Sequence, residues 1–335
     1  MSTTPESVQA PGSSNLTRGY TIALIAAAIL STTSIFIRYL TQTYHMPPLV
    51  LAFWRDGLVV IAMLPALALI RPNLLDPQRR HLPYLFAYGF LLAAFNALYT
   101  LSVALNGAAV ATVLVYSSVA FTALLGRLIL RESLNWGKLL AVGVSLGGCV
   151  LVSGAFDAAA WRGNLIGILT GALSGVCYAI YSLMGRSAAQ RGLNTWTTLF
   201  YTFIFAAAFL GSVNLLPGGF LPGAAGGPAD FLWLGNSLAG WGALFLLAAG
   251  PTVVGYGLYN TSLVYLPSSV ANLIASLQPA FTALIAYFLL GERLSAPQIV
   301  GGLMILAGVA FLRLREGRHS HPSRPPLPAG EGRRR

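Results

Sequence analysis

The sequence predicts an all-α integral membrane protein of ten transmembrane helices, arranged as two inverted five-helix repeats around a central cavity. Three observations predict it. Hydrophobic residues make up 56% and charged residues only 9% of the 335 positions, whereas a soluble domain carries about 25% charge, so a bilayer must solvate most of this chain. Ten apolar runs approach or exceed the roughly 20 residues that a spanning helix requires. Finally, Tyr99 to Val152 returns at Tyr259 to Leu312 with a constant shift of 160 and no gap. Ala120-Phe121-Thr122-Ala123-Leu124 matches Ala280-Phe281-Thr282-Ala283-Leu284, and Leu130, Glu132 and Leu134 return as Leu290, Glu292 and Leu294. With five spans in each copy, the two copies insert in opposite directions.

The elements follow in order. Residues 1–18 form a polar tail, expected to be disordered and cytoplasmic. The run 19–39 is too long for a signal-peptide core and lacks a cleavage site, so it reads as a retained first span. Met46-Pro47-Pro48 opens the second, 48–70, and the third covers 82–104. Asn106-Gly107 makes a short turn into the fourth, 107–129, and the fifth covers 136–154. These five spans make the first repeat, 19–154. The second repeat, 163–314, starts with spans at 163–184 and 195–215; a long loop rich in glycine and proline, Pro217 to Ala239, precedes the eighth, 240–264. Leu266-Pro267-Ser268 turns the chain into the ninth, 268–290, and the tenth covers 296–314. Ser295 with Gln298, and Pro297 in the first turn, form a capping box for the tenth span, as Asn135 caps the fifth. Residues 315–335 are a basic, proline-bearing cytoplasmic tail.

Charge sets the orientation. Arg18, Arg71, Arg79, Arg80, Arg127, Arg131, Lys138, Arg186, Arg191, Arg313, Arg315 and Arg318 flank spans on one side, against Arg38, Arg162 and Arg293 on the other. The positive-inside rule then places both termini in the cytoplasm, Glu132 at the cytoplasmic side and Glu292 at the exterior. The net charge of +11 gathers in short breaks and the C-terminal tail, so no basic face awaits a nucleic acid. Cys149 and Cys177 fall inside apolar runs as small hydrophobes, and no metal-ligand spacing occurs.

Polar positions inside the spans recur by face. Asn96, Tyr99 and Thr100 of span three correspond to Tyr256, Tyr259 and Asn260 of span eight; Thr112 and Tyr116 of span four correspond to Asn272 and Ser276 of span nine. A weaker alignment, shifted by 143, pairs Ser31, Ile35 and Arg38 with Ser174, Tyr178 and Tyr181 of span six. Polar groups against lipid are costly. The stripes are therefore expected to face inward and line the cavity, the alternative being hydrogen bonds that bind one helix to another. Arg55 and Asp56 lie within span two, where ionisable groups are functional by default; adjacent positions on a helix are expected to point apart, with Arg55 meeting a solute carboxylate or fixing neighbouring spans. Glu132 and Glu292 shape the hairpin turns or gate them. Gly163, Gly167, Gly171 and Gly175 recur every four residues, giving span six a smooth packing stripe.

Gly143-Val144-Ser145-Leu146-Gly147 matches the nucleophile-elbow formula, but that elbow needs a strand before it and a helix after it. Here it lies inside a span, so no catalytic residue is assigned. Histidines occur only at His45, His81, His319 and His321, outside the spans, so no buried proton relay is visible; coupling to a proton or another ion stays open. A membrane hydrolase and a non-transporting scaffold or receptor are the alternatives to a permease.

The second copy, from Gln278-Pro279-Ala280 through Leu289-Leu290-Gly291-Glu292-Arg293-Leu294 to Gly301-Gly302 and Gly308, resembles the drug/metabolite transporter superfamily, specifically its EamA-type ten-span exporters. The first copy departs at Ser118-Val119 and at Arg131, while Arg55 stands where the family's first repeat commonly has arginine. The resemblance covers roughly residues 19 to 314. It implies a bacterial inner-membrane permease, without cofactor, that exports amino acids or other small metabolites through a central cavity, with membrane lipid as its surroundings.

Overall fold

The computed structural model describes residues 13–77, 79–118, 120–122, 124–125, 136–153, 158–216, 219, 221–266 and 268–319. Glu132, Asn135 and the tails at 1–12 and 320–335 lie outside the described residues, as does the side chain of Asn272. Among the described residues the regular structure is helical throughout.

The helices are α1 (Ser13–Thr43), α2 (Pro48–Ile70), α3 (Leu82–Asn106), α4 (Ala108–Tyr116), α5 (Trp136–Ser153), α6 (Ala158–Gln190), α7 (Thr195–Asn214), α8 (Leu238–Leu247), α9 (Tyr256–Tyr265), α10 (Ser268–Ala275), α11 (Gln278–Leu290) and α12 (Ala296–His319). Among the described residues, six stretches are long and apolar enough to cross a bilayer: Thr17–Thr43, Pro48–Ile70, Arg79–Asn106, Asn164–Gln190, Thr195–Asn214 and Leu238–Ser262. Ala108–Thr122, Leu139–Val152, Gln278–Leu290 and Ala296–Phe311 are apolar but shorter. Leu165, Ile166, Leu169 and Leu173 of α6 and Phe288 and Leu289 of α11 are exposed on the outer surface, an arrangement that hydrocarbon favours and water penalises.

Contacts between helix ends sort into two sets. At one end Arg18 lies over the Tyr265 ring, the Thr197 and Tyr201 hydroxyls donate to the Leu74 and Leu75 carbonyls, and the Tyr84 hydroxyl donates to the Met184 carbonyl. At the other, Asn164 donates to Asn106, the Trp233 indole donates to the Tyr44 carbonyl, and the Leu49 amide donates to the Gly223 carbonyl. Helix α1 thus runs from the first end to the second and α6 runs back. The 221–239 connection is folded over the second end: the Trp54 indole donates to the Phe231 carbonyl at 2.6 Å, and Trp54 packs edge-on against Trp241 at 4.9 Å.

Glycines set the closest approaches. A Cβ on Gly148 of α5 would stand 2.6 Å from the Gly301 carbonyl of α12, and one on Gly301 the same distance from the Gly148 carbonyl. Along the α6 stripe, Gly171 meets Leu114 and Ser102, and Gly175 meets Ser117, so α6 lies tight against α3 and α4. The helix bends at Asn164 (φ −146°, ψ 41°), whose side-chain oxygen accepts from the Gly167 amide.

Three helical segments are interrupted near the middle of the bundle. Between α8 and α9 the chain makes a π turn over Ala248–Gly255, opened at Pro251, which has no amide hydrogen to give. Past α4 the Ser117 amide bonds back to the Leu114 carbonyl and the Phe121 amide to the Ser117 carbonyl. Past α10 the Leu277 amide bonds to Ile274 and Phe281 to Leu277, the same two bonds shifted by 160 residues.

Candidate functional site

The interruptions surround a cavity of about 260 Å³. Helix α3 contributes Phe95, Asn96 and Tyr99 to its wall, α4 contributes Thr112 and Tyr116, and α2 contributes Arg55. Tyr178 and Tyr181 enter from α6, Tyr256 and Tyr259 from the first turn of α9, and Ser276 from the break before α11. Thr100, Ser174 and Asn260, all expected on the wall, are not placed there, and Thr100 is fully buried away from it. Ser174 is buried and its hydroxyl donates to the Gly171 carbonyl at 2.7 Å within its own helix. Asn260, one residue past Tyr259, lies off the wall. Asn272 has its side chain outside the described residues.

Ser31, Thr33 and Ser34 of α1 and Thr252, Gln278 and Thr282 also line the cavity, and sequence reasoning did not assign them. The signal for α1 was present: Ser31-Thr32-Thr33-Ser34 is a polar quartet in an apolar span. For Thr252 it was Gly250-Pro251 in mid-span, which marks where backbone groups are released.

Many of these polar atoms are already committed. The Tyr99 and Thr112 hydroxyls meet at 3.1 Å, and Thr112 donates to Ser34 at 3.0 Å, stitching α3, α4 and α1 together. Tyr116 donates to the Ala275 carbonyl at 2.9 Å, and Thr282 to the Ser31 carbonyl at 3.0 Å. The Asn96 amide gives both carboxylate oxygens of Asp56 a hydrogen bond, at 2.9 and 2.8 Å. Arg55 corrects the expectation that neighbours on a helix point apart: its Nε lies 3.2 Å from Asp56 Oδ1. The long arginine side chain can curl back along its own helix, and Asp56, held by Asn96 from α3, is the counter-ion within reach. Phe95 stacks on Tyr99 at 5.7 Å and meets Tyr178 at 5.2 Å, which continues to Tyr181 at 6.1 Å, so much of the wall is aromatic face.

At the second end, Glu292 does more than turn a hairpin. Its carboxylate accepts from the Ala108 and Ala109 amides at 2.9 and 3.2 Å, capping α4 from a distant part of the chain, where free amides and the helix dipole favour an anion. Arg38 sits 3.2 Å from the same carboxylate and donates to the Ala104 carbonyl at 2.5 Å. Gly107 permits this approach: it has φ +89°, and a Cβ there would lie 2.8 Å from Glu292 Oε1.

Ser145 lies within helix α5, fully buried, with Gly308 packed on its hydroxyl; it has no strained turn to expose it. Among the described residues no three His, Cys, Asp or Glu side chains are grouped to hold a metal.

The model of the EamA-like transporter family matches residues 17–154 and again 165–314. The chain belongs to this family. Relatives of this EamA-like transporter include an "Uncharacterized transporter" of Archaeoglobus fulgidus, 29% identical over 65% of this chain and 73% of the relative. The "Uncharacterized transporter YyaM" of Bacillus subtilis is 25% identical over 77% of this chain and 82% of its own. A Synechocystis protein, "Uncharacterized transporter sll1319", is 24% identical over 88% and 92%. A crystal structure shares the fold with a TM-score of 0.58 at 17% identity, covering 89% of this chain and 98% of that one. The chain is a multi-pass membrane protein of a transporter family, and a small-molecule substrate is implied.

Proposed function

We propose that this EamA-like transporter exports small neutral or zwitterionic metabolites, amino acids foremost, across the bacterial inner membrane by alternating access, with both termini in the cytoplasm. Ten spans in two inverted five-helix halves rock about the cavity, and Arg55, Tyr99, Tyr178, Tyr256 and Tyr259 contact the solute. The observation that carries the reading is the wall itself. Hydroxyls, amides and aromatic faces surround one charge-compensated arginine, and a volume of about 260 Å³ lies just below the roughly 300–1,000 Å³ of ordinary ligand pockets. Such a space suits a small solute without excess charge. The opposed directions of α1 and α6 and the matched breaks after α4 and α10 support two halves related by inversion, as in other folds that bind solute at interrupted helices. The Glu292–Arg38 lock serves as the closed gate at the exterior end.

Reconstituted protein is expected to move labelled amino acids into or out of proteoliposomes, measured with and without a pH gradient to reveal coupling. Tyr256→Ala should lower that transport about tenfold, the equivalent of one lost aromatic contact, with expression and helix content unchanged. Vesicles that move no solute, together with labelling of Ser145 by a serine-directed probe, would favour a hydrolase; binding of a partner without solute movement would favour a scaffold or receptor.

A further inference from the structure

We propose that Arg55 anchors a carboxylate: the solute is a zwitterion, held by its carboxylate on the Nη1 and Nη2 groups of Arg55. This rests on reading the cavity as the solute site and narrows the chemistry that the site accepts.

The argument is an account of donors. Arg55 is 4% exposed, yet it lines the cavity while Asp56 stands behind it, off the wall. A guanidinium carries five N–H donors in a planar fork. Only Nε is engaged, on Asp56 Oδ1 at 3.2 Å; among the described residues Nη1 and Nη2 make no hydrogen bond or ion pair. Donors in an enclosed site are rarely left unused. Other amide and hydroxyl donors of the wall are already committed: Asn96 is spent on Asp56, Tyr116 on Ala275 and Thr112 on Ser34. The two free Nη groups form the edge that receives a carboxylate in parallel bonds.

Asp56 makes this edge usable. Held by Asn96 through both oxygens, it fixes the plane of the guanidinium and neutralises it when the cavity is empty, so that the charge is tolerated away from bulk water. The phenols of Tyr99, Tyr256 and Tyr181 lie within electrostatic reach of the pair. No carboxylate lines the cavity among the described residues, so the ammonium of a zwitterion is received by aromatic faces such as Phe95 and Tyr178. A dicarboxylate would leave one negative charge without a partner.

The test uses the full chain in detergent micelles with the arginine reagent phenylglyoxal, following modification of Arg55 by peptide mass spectrometry and using exposed Arg71 as internal reference. The probes are phenylalanine and 3-phenylpropionate against phenylalaninamide. Both carboxylates are expected to slow modification of Arg55 by about tenfold, the worth of a charge-assisted bidentate contact, with the amide giving little protection and Arg71 unaffected by any probe. Asp56→Asn removes the competing anion and should let the same carboxylates protect at lower concentration. Equal protection by the amide, no protection by either carboxylate, or an Arg55 that stays unreactive while Arg71 is modified would each overturn the proposal. Failure of transport is a separate outcome: protection by carboxylates without solute movement in proteoliposomes removes the exporter and keeps the anchor, whereas movement of solute without protection does the reverse.

Discussion

Glu292 shows how one carboxylate can join two distant parts of a membrane bundle. Its oxygens satisfy the first two amides of α4 and a guanidinium from α1, while α4 has no cap of its own because Gly107 precedes it. In a bundle whose helix ends lie near hydrocarbon, an unsatisfied amide is expensive. Glu292→Ala is expected to cost about 1–3 kcal/mol, read as a lowered midpoint in thermal or denaturant unfolding in detergent, and Glu292→Gln less, since it retains an acceptor but not the charge. Arg38→Gln combined with Glu292→Gln should show a coupling of about 1 kcal/mol in a double-mutant cycle; additive effects would place the two side chains apart. The glutamate was visible in the repeated hairpin. Its partner was not, because a cap donated across 184 positions leaves no local spacing to read.

At the scale of elements, small residues and interrupted helices divide the work. The α5–α12 contact depends on Gly148 and Gly301, each meeting the other's carbonyl, whereas a Cβ on Gly302 would find its nearest neighbour, Val113, at 3.9 Å. Gly301→Ala is therefore expected to destabilise by about 1–3 kcal/mol through overpacking, and Gly302→Ala to be neutral or stabilising by up to about 1 kcal/mol through helix propensity; the unfolding midpoint should fall for the first variant and stay level or rise for the second. The glycine stripe of α6 is legible from spacing alone, since a four-residue period marks one helical face. The breaks after α4, at Pro251 and after α10 are less so. Their flanks are as apolar as any span, and hydropathy records that a segment is buried, not whether its backbone bonds run to the third, fourth or fifth residue.

For the whole molecule, the proposed topology places His45 and Arg191 on opposite sides of the membrane. In a background with Cys149 and Cys177 replaced, His45→Cys should react with an impermeant thiol reagent added to intact cells, and Arg191→Cys only after the cells are opened; reaction of both from outside would remove the orientation. Composition and the 160-residue repeat by themselves determined that this is a helical membrane protein built twice from one hairpin, because solvation by lipid demands long apolar helices whatever their neighbours. Inward placement of the polar stripes followed from the same cost, and most of them reach the cavity wall. Sequence could not decide which of those groups are free. Asn96, Thr112 and Tyr116 carry the same types of donor before and after folding; only the packed bundle commits them to Asp56, Ser34 and Ala275, brings Glu292 onto α4, and leaves the outer edge of Arg55 open, since hydrogen-bond pairing between distant spans depends on distances that exist only once the helices have met.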